Sequence, residues 1–184
     1  GYYSRNGAAI GHWFGQGVGR LNLTGSVQEA AFTALCDGND PNTGKRLTVR
    51  RNSVRQKDGK WVANKRVLYD WVISPPKSVS VVALVQDSRI IAAHNRAVKT
   101  TLKELESFAE TRVRRNGNAD GVRPTGNLVA ACFRHETSRE LDPQLHTHCV
   151  VFNATFDAVE GRWKALQIQG MFKGPALRQC GLRT

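Results

Sequence analysis

The order of apolar segments along the 184 residues predicts an α+β fold, an antiparallel sheet with helices packed on one face. Three observations predict it. Val67-Leu-Tyr-Asp-Trp-Val-Ile-Ser74 is a continuous strand-forming run, ended by Pro75-Pro76. Residues 78–85 and 89–112 then read as helices, the second with Ile90, Ala93, Ala97, Thr101, Leu105 and Phe108 at helical spacing. Residues 127–156 read as two strands around a short polar connection, 139–144, that contains Pro143.

The remaining elements follow in chain order. Residues 2–24 are Gly-rich and aromatic with no period, and read as turns. Gly15-x-Gly17-x-Gly19 lacks the further glycine of a dinucleotide fingerprint, because position 20 is Arg20, and no apolar strand precedes it. Ser26 is expected to cap a helix over 27–35, with Glu29 completing a capping box. Gly38 to Lys45 imitates a phosphate loop. Five residues rather than four separate Gly38 from Gly44, and Arg46 stands where a magnesium-binding Ser or Thr belongs, so turns are expected. A basic hairpin is expected with strands near 47–55 and 60–64 around Asp58-Gly59. Residues 163–166 read as a short strand or turn, and the chain from Met171 onward as helix. No repeats or long linkers divide it, so one domain over 1–184 is expected.

Composition narrows the partner. Lys and Arg total 27 against 15 Asp and Glu, a net charge of +12. Basic residues recur at 46–66 and 112–115, interleaved with turns and aromatics, as on a folded surface rather than a disordered arm. The partner is a polyanion, and nucleic acid is preferred to an acidic membrane surface. No segment approaches the roughly 18 apolar residues of a membrane span, and the start has no signal-peptide core. Cys36, Cys132, Cys149 and Cys180 form no Cys-x-x-Cys pair. Cys132 and Cys149 have apolar neighbours and read as buried thiols, which favours a reduced, cytoplasmic setting. The chain begins Gly1-Tyr2-Tyr3 and ends at Thr184 in apparent helix, and both ends suggest a fragment.

The chemistry is concentrated in Leu145-His-Thr-His-Cys149. Residues i and i+2 of a strand share a face, so His146 and His148 project side by side. An antiparallel neighbour can set His135 opposite them. Three neutral imidazoles on one face suit a divalent ion and leave coordination positions open for substrate. His12 and His94 stand apart from this pattern and read as structural. After His135-Glu136 the second histidine of a zinc-protease motif is missing, since position 139 is Arg139.

Ser74-Pro-Pro-Lys-Ser-Val-Ser80 and His135-Glu-Thr-Ser-Arg-Glu-Leu-Asp-Pro-Gln-Leu-His-Thr-His148 resemble the conjugative relaxases of the MobF class, the TrwC/TraI family. Gly126-Asn127, Asn153-Ala-Thr155 and Gly161-Arg-Trp163 fit as well, so the resemblance covers nearly the whole chain. It implies the histidine-hydrophobic-histidine endonuclease (relaxase) fold, and the core of a relaxase-helicase acting in plasmid conjugation in the bacterial cytoplasm. The implied reaction nicks and rejoins single-stranded DNA through a 5′-phosphotyrosine. Its metal ligands fall on His135, His146 and His148, an acidic residue beside the metal on Asp70, and a DNA-positioning arginine on Arg139. The implied cofactor is one divalent ion (Mn, Mg, Zn or Ni). The implied partners are single-stranded and hairpin DNA at a transfer origin, with other relaxosome proteins.

The nucleophile falls on Tyr2 or Tyr3. They match the second of two family tyrosine pairs, the first of which would lie upstream of Gly1. A non-cutting module that binds single-stranded or hairpin DNA is the alternative. On physical grounds Asp70 either takes a tyrosine proton or orients a ligand histidine through its second ring nitrogen. Lys77 and Ser78, at a strand-to-helix turn, either hold a phosphate or, for Ser78, cap the helix.

Overall fold

The computed structural model of the chain describes residues 10–49, 54–63, 66–115, 118–138 and 140–171. The described chain opens with a short strand, β1 (His12–Phe14), and a short helix, α1 (Gln16–Arg20). Helix α2 (Glu29–Cys36) follows, then the hairpin β2 (Val54–Lys57) and β3 (Lys60–Ala63). Strand β4 (Leu68–Ile73) leads into helices α3 (Lys77–Val85) and α4 (Arg89–Ser107). Next come β5 (Glu110–Arg115), β6 (Asn118–Pro124), β7 (Ala130–Thr137) and β8 (Pro143–Phe152). Three short strands close the described chain: β9 (Thr155–Asp157), β10 (Arg162–Lys164) and β11 (Leu166–Gln167).

The expected α+β architecture is present. The main sheet is antiparallel, in the order β1-β7-β8-β4. Alternation along each strand sends two sets of side chains to opposite faces. On one face Trp71, Cys149, Val151 and Ala130 form a core with Val98, Leu102 and Leu105 of α4, and α3 packs beside it against β8. On the other, Val129, Ala131, Phe133, Val150 and Phe152 pack with Leu21, Leu35 and Phe32, so α2 covers one end of that face. The far end of the same face, toward His135 and His146, is where the polar residues of β7 and β8 gather.

Four local expectations are corrected. Helix α2 begins at Glu29, with Gln28 at the N-cap and no side-chain cap, because Ser26 is taken by a backbone bridge to His12. Helix α4 ends at Ser107 rather than 112. Phe108 caps it, and the Ala109 carbonyl accepts from Thr125 N, Gly126 N and Thr125 Oγ1. The β-branched Thr111 and Val113 then continue as strand β5, whose Thr111 pairs with Arg123 on one side and Leu166 on the other. In the basic hairpin the turn falls at Asp58-Gly59, both left-handed (φ 51° and 73°), as a two-residue hairpin requires. Of the expected first strand, residues 47–49 form a bend and Leu47 is buried in the core beside α2, while β2 covers Val54–Lys57. Ser78 lies inside the first turn of α3 behind the N-cap position of Pro76, so it is not the cap. The helix expected beyond Met171 falls outside the described residues.

The N-terminal glycines, read as turns, have a packing role. Gly15 holds φ +107°, and Gly17 N donates to the Leu128 carbonyl at 2.9 Å. A Cβ on either would run into that carbonyl. The buried Glu106 carboxylate completes the junction, accepting from Gln16 N (2.7 Å) and Leu128 N (2.9 Å). This fixes residues 15–17 against the segment that enters β7.

Candidate metal centre

Strands β7 and β8 place the three histidines by register alone. His135 lies directly opposite His146, and Phe133 opposite His148, so all three imidazoles share one face. Their ring centres form a near-equilateral triangle, 5.3 Å (His135–His146), 5.4 Å (His135–His148) and 5.3 Å (His146–His148). Imidazoles bound tetrahedrally to one ion at about 2.0–2.1 Å have ring centres about 5.3 Å apart. The spacing is that of a shared ion. The donor atoms are not drawn together: among the described residues, no three His, Cys, Asp or Glu side chains stand assembled around one ion position.

Hydrogen bonds behind the rings decide which nitrogens are available. His146 Nδ1–H donates to the Gln144 carbonyl at 2.9 Å, and His148 Nδ1–H donates to the Asp70 carboxylate at 2.9 and 3.0 Å. Each acceptor takes the Nδ1 proton and so leaves an Nε2 lone pair for a cation. The Nε2 of His135 is shielded from solvent. Burial holds the His135 pKa below the usual imidazole range. The neighbouring His146 and His148 add to that, and the opposing pull of Asp70 does not outweigh them. Three imidazole donors, two of them backed by an outer-shell acceptor, fit a divalent ion of the manganese-to-zinc series.

Asp70 reaches this site from β4. It pairs with Val150 while Val72 pairs with His148, which puts the carboxylate diagonally beside the His148 ring on the same face. Of the two roles open to it in the sequence, the contact to His148 is the one the geometry displays.

His94 was expected to be structural, and it is buried in α4 with Nε2 2.8 Å from Thr147 Oγ1. Thr147 lies between the two β8 histidines and points the opposite way, so α4 grips that strand from behind. Sequence reasoning missed this link. The only hint was a histidine within an otherwise amphipathic helix. Burial, followed by Arg134 and His146, depresses the His94 pKa.

The other predicted residues are dispersed. Lys77 opens α3, and its Nζ lies 3.1 Å from Asp142 in an exposed ion pair just ahead of β8. Tyr2, Tyr3 and Arg139 lie outside the described residues. His12 is exposed on β1, opposite Cys132. Cys132 and Cys149 face each other across β7 and β8 as free thiols. Cys149 is buried as expected, and its thiol is pushed far up by the hydrogen bond with Cys132 and by burial, whereas Cys132 is only half-buried.

A histidine triad on two central antiparallel strands, with a carboxylate bonded behind one ring, is a ligand set that suits a divalent ion. Comparison with known proteins makes this specific. The family model of the TrwC relaxase matches residues 1–178, and the chain belongs to that family. It is 43% identical over 155 residues to the Multifunctional conjugation protein TraI of Escherichia coli, and 42% identical to the same-named protein of strain K12. Each alignment covers 84% of this chain and 8% of the relative, so the chain spans a small part of those proteins. Among solved structures it resembles the conjugative relaxase TrwC in complex with oriT DNA. The copper-bound form has 39% identity and a TM-score of 0.77, covering 98% of this chain and 58% of that one. A metal-bound form has 37% identity and a TM-score of 0.78, covering 98% and 60%. A third TrwC complex, at 38% identity and a TM-score of 0.76, holds a 27-mer DNA with the recognition hairpin and cleavage site, covering 93% and 57%.

Proposed function

We propose that this chain is a relaxase domain, spanning 1–184, that nicks and rejoins one strand of transfer-origin DNA through a tyrosine. The observation that carries the reading is the histidine triangle on β7 and β8 with Asp70 bonded behind His148. The partners proposed are single-stranded and hairpin DNA, in keeping with the oriT complexes of the TrwC neighbours. Among the described residues no helix is long and apolar enough to cross a membrane. A cytoplasmic location belongs to the same proposal.

The residues divide the chemistry as follows. The Oη of Tyr2 or Tyr3 attacks the phosphorus, and the bond from phosphorus to the 3′-oxygen breaks. The products are a 5′-phosphotyrosine and a free 3′-hydroxyl. The ester is exchanged rather than hydrolysed, so the 3′-hydroxyl can reverse the step. A phenol with a pKa of about 10 is a weak nucleophile at neutral pH and must lose its proton on attack. A divalent ion held by His135, His146 and His148 would offset phosphate charge and orient the ester. Asp70 fixes the His148 ring and its tautomer. Arg139 and Lys77 are proposed to contact DNA phosphate, with Lys77 exchanging its exposed partner Asp142 for the ligand. Manganese, zinc and nickel suit three imidazoles better than magnesium does.

Equilibrium dialysis against manganese tests the metal assignment. The wild-type chain is expected to bind one ion, and His146→Ala to bind it at least tenfold more weakly. Equal affinity in the two proteins removes the triad from the account.

A further inference from the structure

We propose that Cys132 and Cys149 form an oxidisable thiol pair on the α4 face of the main sheet, converted by a hydroperoxide to a disulfide that weakens the metal centre on the opposite face. The disulfide depends on the thiols alone, while its effect rests on the proposed metal centre. The two cysteines lie directly opposite each other on β7 and β8. Opposed residues of an antiparallel pair have Cα atoms about 4.5–5.5 Å apart, inside the roughly 4.4–6.8 Å range of a disulfide. Both side chains join the core formed with α4, and the thiols are already hydrogen-bonded to each other.

The pair has an open member and a closed one. Cys149 is fully buried, whereas Cys132 is half-buried and lines a cavity of about 1010 Å³ bounded by β1, β7 and α4. His12 stands opposite Cys132 on β1, faces the same way and lines the same cavity. A thiolate beside an imidazole is the reactive form of cysteine. In the first step the Cys132 sulfur attacks one peroxide oxygen and the O–O bond breaks. Cys132 becomes a sulfenic acid, and its thiol proton passes by way of His12 to the leaving oxygen. In the second step the Cys149 sulfur attacks the Cys132 sulfur, the S–O bond breaks, and the Cys149 proton leaves with the hydroxyl as water. The two thiols lose two electrons in all, and the peroxide gains them. Closure brings the sulfurs from hydrogen-bonding contact to about 2.05 Å. The next pair along the ladder is Phe133 with His148, and His135 with His146 follows two rows further on. Drawing the strands together on the α4 face spreads their other faces and parts His135 from His146 and His148, in a kind of site that tolerates displacements of only about 0.5 Å.

The test treats the full chain with hydrogen peroxide in metal-free buffer, removes the oxidant, and maps an unreduced digest by mass spectrometry. Manganese affinity is measured on the intact protein before and after. A Cys132–Cys149 cross-link is expected, with manganese binding weakened at least about fivefold, the lower end of common couplings between two sites. Dithiothreitol should restore both. By reciprocity, saturating manganese should raise the reduction potential of the disulfide, by about 20 mV for a fivefold coupling. Cys132→Ala and Cys149→Val should each abolish the response to peroxide while keeping the affinity of the reduced wild type, and Cys36→Ala should keep the response. Oxidation of Cys132 to a sulfinic acid, or its pairing with another cysteine, overturns the thiol pair. A mapped Cys132–Cys149 disulfide with unchanged manganese affinity overturns its effect on the metal centre. A reduced wild-type chain that binds no manganese overturns the metal centre itself, whatever the thiols do.

Discussion

Asp70 and the Gln144 carbonyl do the same work for two different histidines: each accepts a hydrogen bond from Nδ1–H and so sets the tautomer of that ring. Outer-shell acceptors of this kind commonly affect metal affinity by about 10–100-fold. Asp70→Ala is therefore expected to weaken manganese binding by that factor while leaving the fold intact, because Asp70 is exposed and its strand is held by backbone pairing to β8. Isothermal titration checks it, and an unchanged affinity would reduce Asp70 to a surface residue. The triad was legible in the sequence because strand periodicity is fixed at two, so His146 and His148 had to share a face. Asp70 was legible as a candidate, but its partner was not. Which histidine it meets depends on the β4–β8 register, which no local pattern states. His94 was passed over for the same reason, since its contact to Thr147 spans 53 positions.

At the scale of elements, the strands that carry the site could be read from the sequence and the pieces that brace them could not. The runs before and after the histidines are apolar, and β7 falls where expected, while β8 begins at Pro143, inside the expected connection 139–144. Strands such as β1 and β9, three residues each, are too short to show a period. The overlong reading of α4 came from letting helical spacing run past Phe108. A tertiary feature, the capture of the Ala109 carbonyl by Thr125 and Gly126, ends the helix there. The Gly15–Gly17 junction yields a prediction at this scale. Gly15→Ala forces a side chain into φ +107° and against the Leu128 carbonyl, and should cost at least about 2 kcal/mol. Urea denaturation measures it. A loss below about 0.5 kcal/mol would mean that this segment does not brace β7.

For the whole molecule, acid is predicted to destabilise the fold well before its carboxylates titrate. His94 and His135 both have pKa values depressed by burial in the folded state. As pH falls through the unfolded imidazole value of about 6.5, the unfolded chain takes up protons that the folded chain refuses, and stability is lost until the folded pKa is passed. Asp157 is also depressed. Burial opposes its charge, but hydrogen bonds from the Glu160 and Val159 amides and from Lys164 and Arg123 outweigh that, so its contribution is lost only in stronger acid. In metal-free buffer the Tm is expected to fall between about pH 7.5 and 5.5, and to fall less in His94→Gln. A flat profile would contradict the buried, neutral state of these rings. The net charge of +12 sets the partner class but not the site, which is why composition alone stopped at nucleic acid.

The central claim is strand transfer to a tyrosine, and a covalent-transfer assay tests it most directly. Single-stranded oligonucleotides tiled across a transfer origin would be mixed with the chain and manganese, denatured and resolved on a gel. The account predicts an adduct that survives denaturation, maps to Tyr2 or Tyr3, and is absent both from the Tyr2→Phe/Tyr3→Phe double variant and after chelation. DNA binding without an adduct would contradict it in favour of a non-cutting module. Cleavage that persists in the double variant would contradict it in favour of water as the nucleophile.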